Sequence, residues 1–331
     1  MAHTSRPTIS RLIATLALLA TAIAPAAAQD WPNRPVTMVV PLAAGGGSDG
    51  LSRVFAPTLG EVLGQTVIVE NVGGVGGMIG ASRVAKAPAD GYQFLLGTSG
   101  TQALNQALYS KPLYNAATDF AAVSLIFDVP LVLMTKPDLP VNNLKEFIEY
   151  AKKNQKNMQY GSSGLGGTGH LACELLNSVM GVEITHIPYR GGGPAMNDLL
   201  AGRIDYQCAL ANIAMPPIEN KQAKGIAVLS KARSPIMPNL ASAQEQGLKD
   251  FEATAWNGIF LPKGTPDEIV KKLNAAISKT LDTPFVRDRL KEMGAEVATP
   301  DRRSPEFLQK HVEAEIKKWA QTIKDAYIKQ Q

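Results

Sequence analysis

Val36-Thr37-Met38-Val39-Val40-Pro41-Leu42-Ala43-Ala44-Gly45-Gly46-Gly47-Ser48-Asp49 passes from a strand signal to a helix signal through a glycine-rich loop. The apolar run stops at Pro41. Ser48 and Asp49 are residue types that cap helices, and the pattern predicts a helix through Val62 and Leu63 with a kink at Pro57. The same order returns twice. A strand over 93–96 leads into Gly97-Thr98-Ser99-Gly100-Thr101 and a short helix over 101–108. A strand over 158–160 leads into Gly161-Ser162-Ser163-Gly164-Leu165-Gly166-Gly167-Thr168-Gly169-His170 and a helix over 169–180. Short buried strands alternating with helices predict an α/β fold with mostly parallel sheets.

Working outward, a strand over 66–69 and a helix over 78–87 complete a first block. The pattern shifts at Ile126-Phe127-Asp128-Val129-Pro130. A second block follows, with strands over 131–135, 183–187, 204–208 and 225–229 and helices over 142–153 and 193–201. A strand-like run over 254–261 precedes three helices, over 266–281, 284–293 and 304–329. The last carries Phe307, Val312, Ile316, Trp319 and Ile323 near helical spacing, so it packs on a core.

The chain has 331 residues, enough for about two domains. Its 45% hydrophobic and 19% charged residues exclude disorder. A formal charge of +4 gives no argument for nucleic acid. Two cysteines exclude a disulfide-dense scaffold and a four-cysteine zinc site. Residues 1–29 have the pattern of a secretory signal peptide. Arg6 and Arg11 precede a short apolar run, and Ala26-Ala27-Ala28 offers a cleavage site. No cysteine follows to carry a lipid anchor. The expected mature protein is soluble and exported, where ATP and NAD are scarce, so no cofactor is expected.

The three loops each end a strand and open a helix. In open α/β sheets such loops bind ligands. Glycines let backbone N–H groups approach a ligand, a helix N-terminus adds about half a positive charge, and Ser and Thr add donors. All three suit an oxyanion without a Lys or Arg. The bland alternative is that the glycines only shape turns, and three such loops over two blocks weigh against it. Gly164-Leu165-Gly166-Gly167-Thr168-Gly169 matches a dinucleotide fingerprint, but the acid Glu183 sits at the start of the next strand rather than its end. Neither Gly97-Thr98-Ser99-Gly100 nor Gly161-Ser162-Ser163-Gly164 completes a nucleophile elbow. No histidine and carboxylate cluster supports a metal.

Other residues stay open at this level. His186 and His311 read as structural. His170 either donates to a ligand carboxylate or caps a helix. Arg190, in Tyr189-Arg190-Gly191-Gly192-Gly193-Pro194-Ala195, either meets an anion or lies solvated on the rim, with the rim favoured. Cys173 and Cys208 form either a disulfide or two buried thiols. Trp256 is more a core residue than a ligand contact.

These loops, in order, resemble the Bug-type solute receptors of tripartite tricarboxylate transporters. Trp31-Pro32-Asn33-Arg34-Pro35 opens the resemblance. Val69-Glu70-Asn71-Val72-Gly73-Gly74, Pro88-Ala89-Asp90-Gly91-Tyr92, Pro188-Tyr189-Arg190-Gly191-Gly192 and Leu261-Pro262-Lys263-Gly264-Thr265-Pro266 extend it over nearly the whole chain from Trp31. It implies a two-domain periplasmic binding protein of the Venus-flytrap type, each domain a mostly parallel sheet flanked by helices. Domain 1 would comprise 30–127 plus 255–331, and domain 2 would comprise 128–254, with crossings near 127–129 and 253–256. It implies a small organic mono- or dicarboxylate in the cleft and membrane subunits of such a transporter as partners.

The ligand set expected from the loops and the resemblance is Leu42, Ala43, Gly45, Gly46, Ser48, Thr98, Ser99, Ser162, Ser163, Gly164, Thr168, Gly169, His170 and Asn212. Many members carry an aromatic where this chain has Leu42, so aromatic stacking is not expected. Gln207-Cys208-Ala209-Leu210-Ala211-Asn212 lacks an acid for a ligand amine, which disfavours amino acids. The rivals are an exported hydrolase using Ser99 or Ser163 with His170, and a receptor that signals rather than imports.

Overall fold

The structure, a computed structural model, describes residues 31–249 and 251–325. The signal-peptide expectation for 1–29 lies outside the described residues.

The first part of the chain alternates strand and helix: β1 (Val36–Val40), α1 (Gly47–Leu63), β2 (Val67–Asn71), α2 (Met78–Ala85), β3 (Gln93–Thr98) and α3 (Asn105–Leu108). A π-helical turn, Gly100–Leu104, precedes α3, so the helix expected from 101 is split. β4 (Phe120–Thr135) is 16 residues long, roughly 50 Å at about 3.3 Å per residue. The second part follows with α4 (Leu144–Asn154), β5 (Gln159–Ser162), α5 (Thr168–Met180), β6 (Thr185–Pro188), α6 (Gly192–Leu200), β7 (Tyr206–Leu210), α7 (Ala211–Glu219) and β8 (Lys224–Val228). The chain ends with β9 (Thr254–Pro262), α8 (Asp267–Asp282), α9 (Pro284–Glu292), β10 (Glu296–Val297) and α10 (Pro305–Asp325).

The strand order is β2-β1-β3-β9-β4-β7-β5-β6. β1 is parallel to β2 and β3, and β5 is parallel to β6 and β7. β9 is antiparallel to β3 and β4, and β4 is antiparallel to β7, β8 and β10. Each half is therefore built on three parallel strands flanked by helices. The expected parallel strands are present, and the two long crossing strands add the antiparallel pairs.

The pattern shift seen at 126–130 falls inside β4, where the strand changes partners. Pro130 is the last residue opposite β9, and Leu131 is the first opposite β7. Pro130 has no N–H to give a ladder, so its place is where one partner ends and the next begins. Two register shifts against β9, between Ala122 and Ser124 and between Leu125 and Phe127, lie just before this exchange.

α8 packs on α1 and β4, and α10 packs on β4 and the π-helical turn. Leu308, Val312, Trp319 and Ile323 of α10 join a core with Val39, Leu95 and Trp256. Trp256 is 3% exposed, a core residue.

Two local expectations change. α1 is capped at Gly46, with no side-chain cap from Ser48 or Asp49. Asp49 instead sits in the first turn and reaches back, its carboxylate accepting from the Gly45 N–H at 2.9 Å. α7 was hidden by Pro216 and Pro217, which lie inside it. Lacking N–H groups, they leave the Asn212 and Ile213 carbonyls without helical donors, the pattern of a broken helix rather than a continuous one.

Candidate ligand-binding site

The loop between β1 and α1 is held by side chains around it. Asp49 takes Arg53 Nε at 3.0 Å, Arg53 Nη2 donates to Asn71 Oδ1 at 3.0 Å, and Asn71 Nδ2 donates to the Leu42 carbonyl at 3.1 Å. The Arg53 and Gly45 hydrogen bonds outweigh the burial of Asp49, so its pKa lies below the usual carboxylate range. The loop thus keeps its shape with its charges tied to one another.

Elements of the second half meet this loop and its neighbours. Asn212 Nδ2 donates to the Gly47 carbonyl at 2.9 Å. Ser99 Oγ and Thr168 Oγ1 are 3.1 Å apart. Tyr109 donates its hydroxyl to the Leu165 carbonyl at 3.3 Å. At Gly76, φ is +59° and an added Cβ would run into the Leu165 carbonyl oxygen. The two halves are in contact around the loops.

A small cavity of about 40 Å³ lies among them, lined by Leu42, Gly46, Gly47, Ser163, Gly169, Gly192 and Gln207, among others. Three helix N-termini converge here: α1 at Gly46 and Gly47, α5 at Gly169 and α6 at Gly192. Each brings unpaired N–H groups and about half a positive charge. No Lys or Arg lines the cavity. Such a cavity, called the anion pocket below, has the chemistry to hold an anion through neutral donors. A second cavity of about 330 Å³ shares Leu42 and Ser163 with it and is lined also by Val75, Gly164, Leu165, Tyr189 and Arg190.

Of the expected ligand set, these two cavities bring together Leu42, Gly46, Ser163, Gly164 and Gly169. Ala43, Gly45, Ser48, Thr98, Ser99, Ser162, Thr168, His170 and Asn212 do not line them. Several of these are buried and engaged elsewhere. Thr98 Oγ1 accepts from the Thr101 N–H at 3.1 Å, and Ser48 Oγ lies 3.5 Å from Asn257 Oδ1. Asn212 acts across the loops instead. Gln207 lay in a segment noted only for lacking an acid. It is 2% exposed, its Oε1 has no hydrogen-bond partner, and it lines the anion pocket. It is the second residue of β7, paired beside Gly161 of β5 just before the 162–170 loop, a placement that the sequence alone does not mark.

His170 is a brace. Its Nδ1 accepts the Gly166 N–H at 3.2 Å, which fixes the proton on Nε2. Its ring lies 4.2 Å from that of His186, and Tyr160 stacks on both. His186 Nε2 is 2.7 Å from Ser162 Oγ, which also accepts from the Gly164 N–H. The histidines hold the 162–170 loop from behind. Neither Ser99 nor Ser163 hydrogen-bonds His170 among the described residues; Ser99 meets Thr168.

Burial, then the neighbouring His186, pushes the His170 pKa down to about 3. Burial takes His186 down to about 4. Both rings are neutral in the fold, while in the unfolded chain they take protons below about 6.5. Stability is therefore lost as pH falls through 6.5 towards the folded values. Between pH 7 and 5 the cost is up to about 2 kcal/mol per ring. His186 is partly exposed, and Glu174, whose pKa burial raises, opposes the loss. A net loss of about 2 kcal/mol, a few degrees in Tm, is expected by calorimetry at the two pH values. An unchanged or higher Tm at pH 5 would contradict the buried neutral pair.

A larger cavity, about 570 Å³, lies on the opposite face of the crossing strands. Asn257 of β9 faces Ser48, so Trp256 beside it faces away, into this cavity. Its charges largely serve one another: Arg302 pairs with Asp128 at 2.6 Å and Lys318 with Glu315 at 3.1 Å. No comparable gathering of helix N-termini marks it.

Two α/β halves joined by long crossing strands, with helix N-termini gathered between them, define a solute-binding protein of the periplasmic type. Residues 51–328 match the tripartite tricarboxylate transporter family receptor, TctC, and the chain belongs to that family. It is similar to the periplasmic binding protein BugD, 40% identical, with a TM-score of 0.88 over 91% of this chain and 100% of that one. MatC from Rhodopseudomonas palustris, with bound malate, is 37% identical, TM-score 0.86, over 88% and 100% of the two chains. R. palustris Rpa4515, with adipate, is 39% identical, TM-score 0.86, over 91% and 100%. Members of the family are substrate-binding receptors.

Proposed function

We propose that this protein is an exported, non-catalytic receptor that captures a small organic carboxylate and delivers it to the membrane subunits of a tripartite tricarboxylate-type transporter. The observation that carries this reading is the convergence of three helix N-termini on a cavity without a cation. Such a pocket accepts a carboxylate through several neutral donors, each worth roughly 0.5–3 kcal/mol depending on charge. MatC with malate and Rpa4515 with adipate support the ligand class.

In this reading 1–29 is the cleaved leader, 30–127 plus 255–331 and 128–254 are the two domains, and β4 and β9 are the hinge. The ligand favours the closed form by its differential affinity for it. A thermal-shift screen of unfolded and refolded protein tests the reading. At a ligand concentration 100 times Kd the expected stabilisation is about 2.7 kcal/mol, several degrees in Tm. Shifts with carboxylates and none with uncharged analogues are expected. Silence across mono-, di- and tricarboxylates would sink the reading.

A further inference from the structure

Beside the anion pocket, the 330 Å³ cavity changes character. Leu42, Val75 and Leu165 give it apolar walls, and Arg190 is the cation on its lining. The nearby Tyr189 hydroxyl is spent on Asp198 at 2.6 Å. Arg190 is exposed and has no carboxylate partner among the described residues.

Val75 adds an independent observation. Its φ is +47°, in the left-handed region that β-branched residues avoid. It stands between Gly73-Gly74 and Gly76-Gly77, in a run where glycine would meet the backbone demand without strain. The chain keeps a valine there, half exposed, and its side chain lines this cavity. Strain retained at a cavity wall points to a use for the side chain.

The geometry points to an α,ω-dicarboxylate with an unsubstituted hydrocarbon spacer: one carboxylate in the anion pocket, the spacer along Leu42, Val75 and Leu165, and the second carboxylate on the Arg190 guanidinium. This rests on the carboxylate-receptor reading above. A planar guanidinium takes a carboxylate through two parallel hydrogen bonds. A hydroxyl or amine on the spacer would lose its water against these walls without gaining a partner.

The test is titration calorimetry of the refolded protein with the α,ω-dicarboxylates of four to eight carbons, the monocarboxylates of equal length, and malate as the hydroxylated probe. The tightest dicarboxylate is expected to bind at least tenfold better than its monocarboxylate, and succinate better than malate. Arg190→Gln is expected to weaken the dicarboxylate roughly tenfold to hundredfold while leaving the monocarboxylate within about twofold. Arg190→Lys, which keeps the charge but loses the fork, falls between. Val75→Gly is expected to relieve backbone strain, raising Tm without ligand, and to weaken the longer dicarboxylates most. Monocarboxylates that bind as tightly as dicarboxylates, or an Arg190→Gln effect equal on both, would overturn the Arg190 assignment and leave the receptor reading intact. Malate bound more tightly than succinate would overturn the spacer assignment. No binding by any carboxylate would end the receptor reading and this inference with it.

Discussion

Gly76→Ala is expected to raise the Kd for the ligand at least a hundredfold while the protein still folds. A Cβ at this position runs into the Leu165 carbonyl oxygen and approaches Gly166 Cα at 3.2 Å. These are backbone atoms of the facing half, so no rotamer change relieves the contact. The collision exists only when the halves meet. On the proposed hinge, opening would draw Leu165 and Gly166 away and remove this clash. A penalty of about 3 kcal/mol on the closed form cuts the closed fraction, and with it the apparent affinity, roughly a hundredfold.

The positive φ of Gly76 adds a cost of its own, about 1 kcal/mol of stability for any residue with a Cβ. Gly64→Ala separates the two effects. Gly64 closes α1 at φ +72°, and a Cβ there meets nothing within 4 Å. It should lose the same stability and keep wild-type affinity. Calorimetric titration gives Kd, and solution scattering shows whether ligand contracts the molecule. The wild type and Gly64→Ala should contract and Gly76→Ala should not. Wild-type affinity in Gly76→Ala would mean that the ligand is held without the two halves meeting at Gly76.

This contact shows where the sequence stops being informative. The strand, loop and helix order around Gly45-Gly46-Gly47 and Gly164–Gly169 was legible because local backbone demands leave local residues. Glycines mark tight turns, and apolar periodicity marks the elements. Gly76 looked like one more glycine in a glycine run, because what forbids its side chain lies 89 positions away at Leu165. Gln207 was similarly silent. A glutamine in an apolar strand has no pattern of its own, and its place on the pocket depends on β5 and β7 pairing in parallel.

His170 was drawn towards the ligand by its position at a helix start. It turned inward because a second ring, His186, stands behind it on the neighbouring strand β6. α7 was lost to its two prolines. The antiparallel course of the crossing strands was not legible, because periodicity predicts strands and not their directions. β4 and β9 give the same apolar signal whichever way they run.

Loss of the Cys173–Cys208 disulfide is expected to cost about 3–4 kcal/mol and to weaken ligand binding as well. The bond joins α5 to β7, with Cα atoms 5.6 Å apart and 35 positions between the cysteines. Closing a loop of that size removes about that much unfolded-chain entropy. For a chain of this length the change is roughly 5–7 °C in Tm. The effect on binding has a separate cause. Cys208 lines the anion pocket, and a Cβ at Gly169 would lie 2.5 Å from the Cys208 carbonyl oxygen, so the start of α5 lies tight against β7. The disulfide lies one turn into α5 and holds that N-terminus against the strand carrying Gln207.

Without the bond, the N–H groups of α5 are no longer fixed relative to those of α1 and α6. Preorganisation is what lets neutral donors bind an anion well, because their ordering cost is met on folding rather than on binding. The Cys173→Ala/Cys208→Ala variant and the reduced wild type should therefore both melt lower and bind the same carboxylate severalfold more weakly. The variant should be insensitive to reductant. A wild type whose Tm does not move with reductant, while the thiols titrate as free, would contradict the bridge. A Tm that falls with Kd unchanged would mean that the hydrogen bonds of α5 and the 162–170 loop hold the pocket without it.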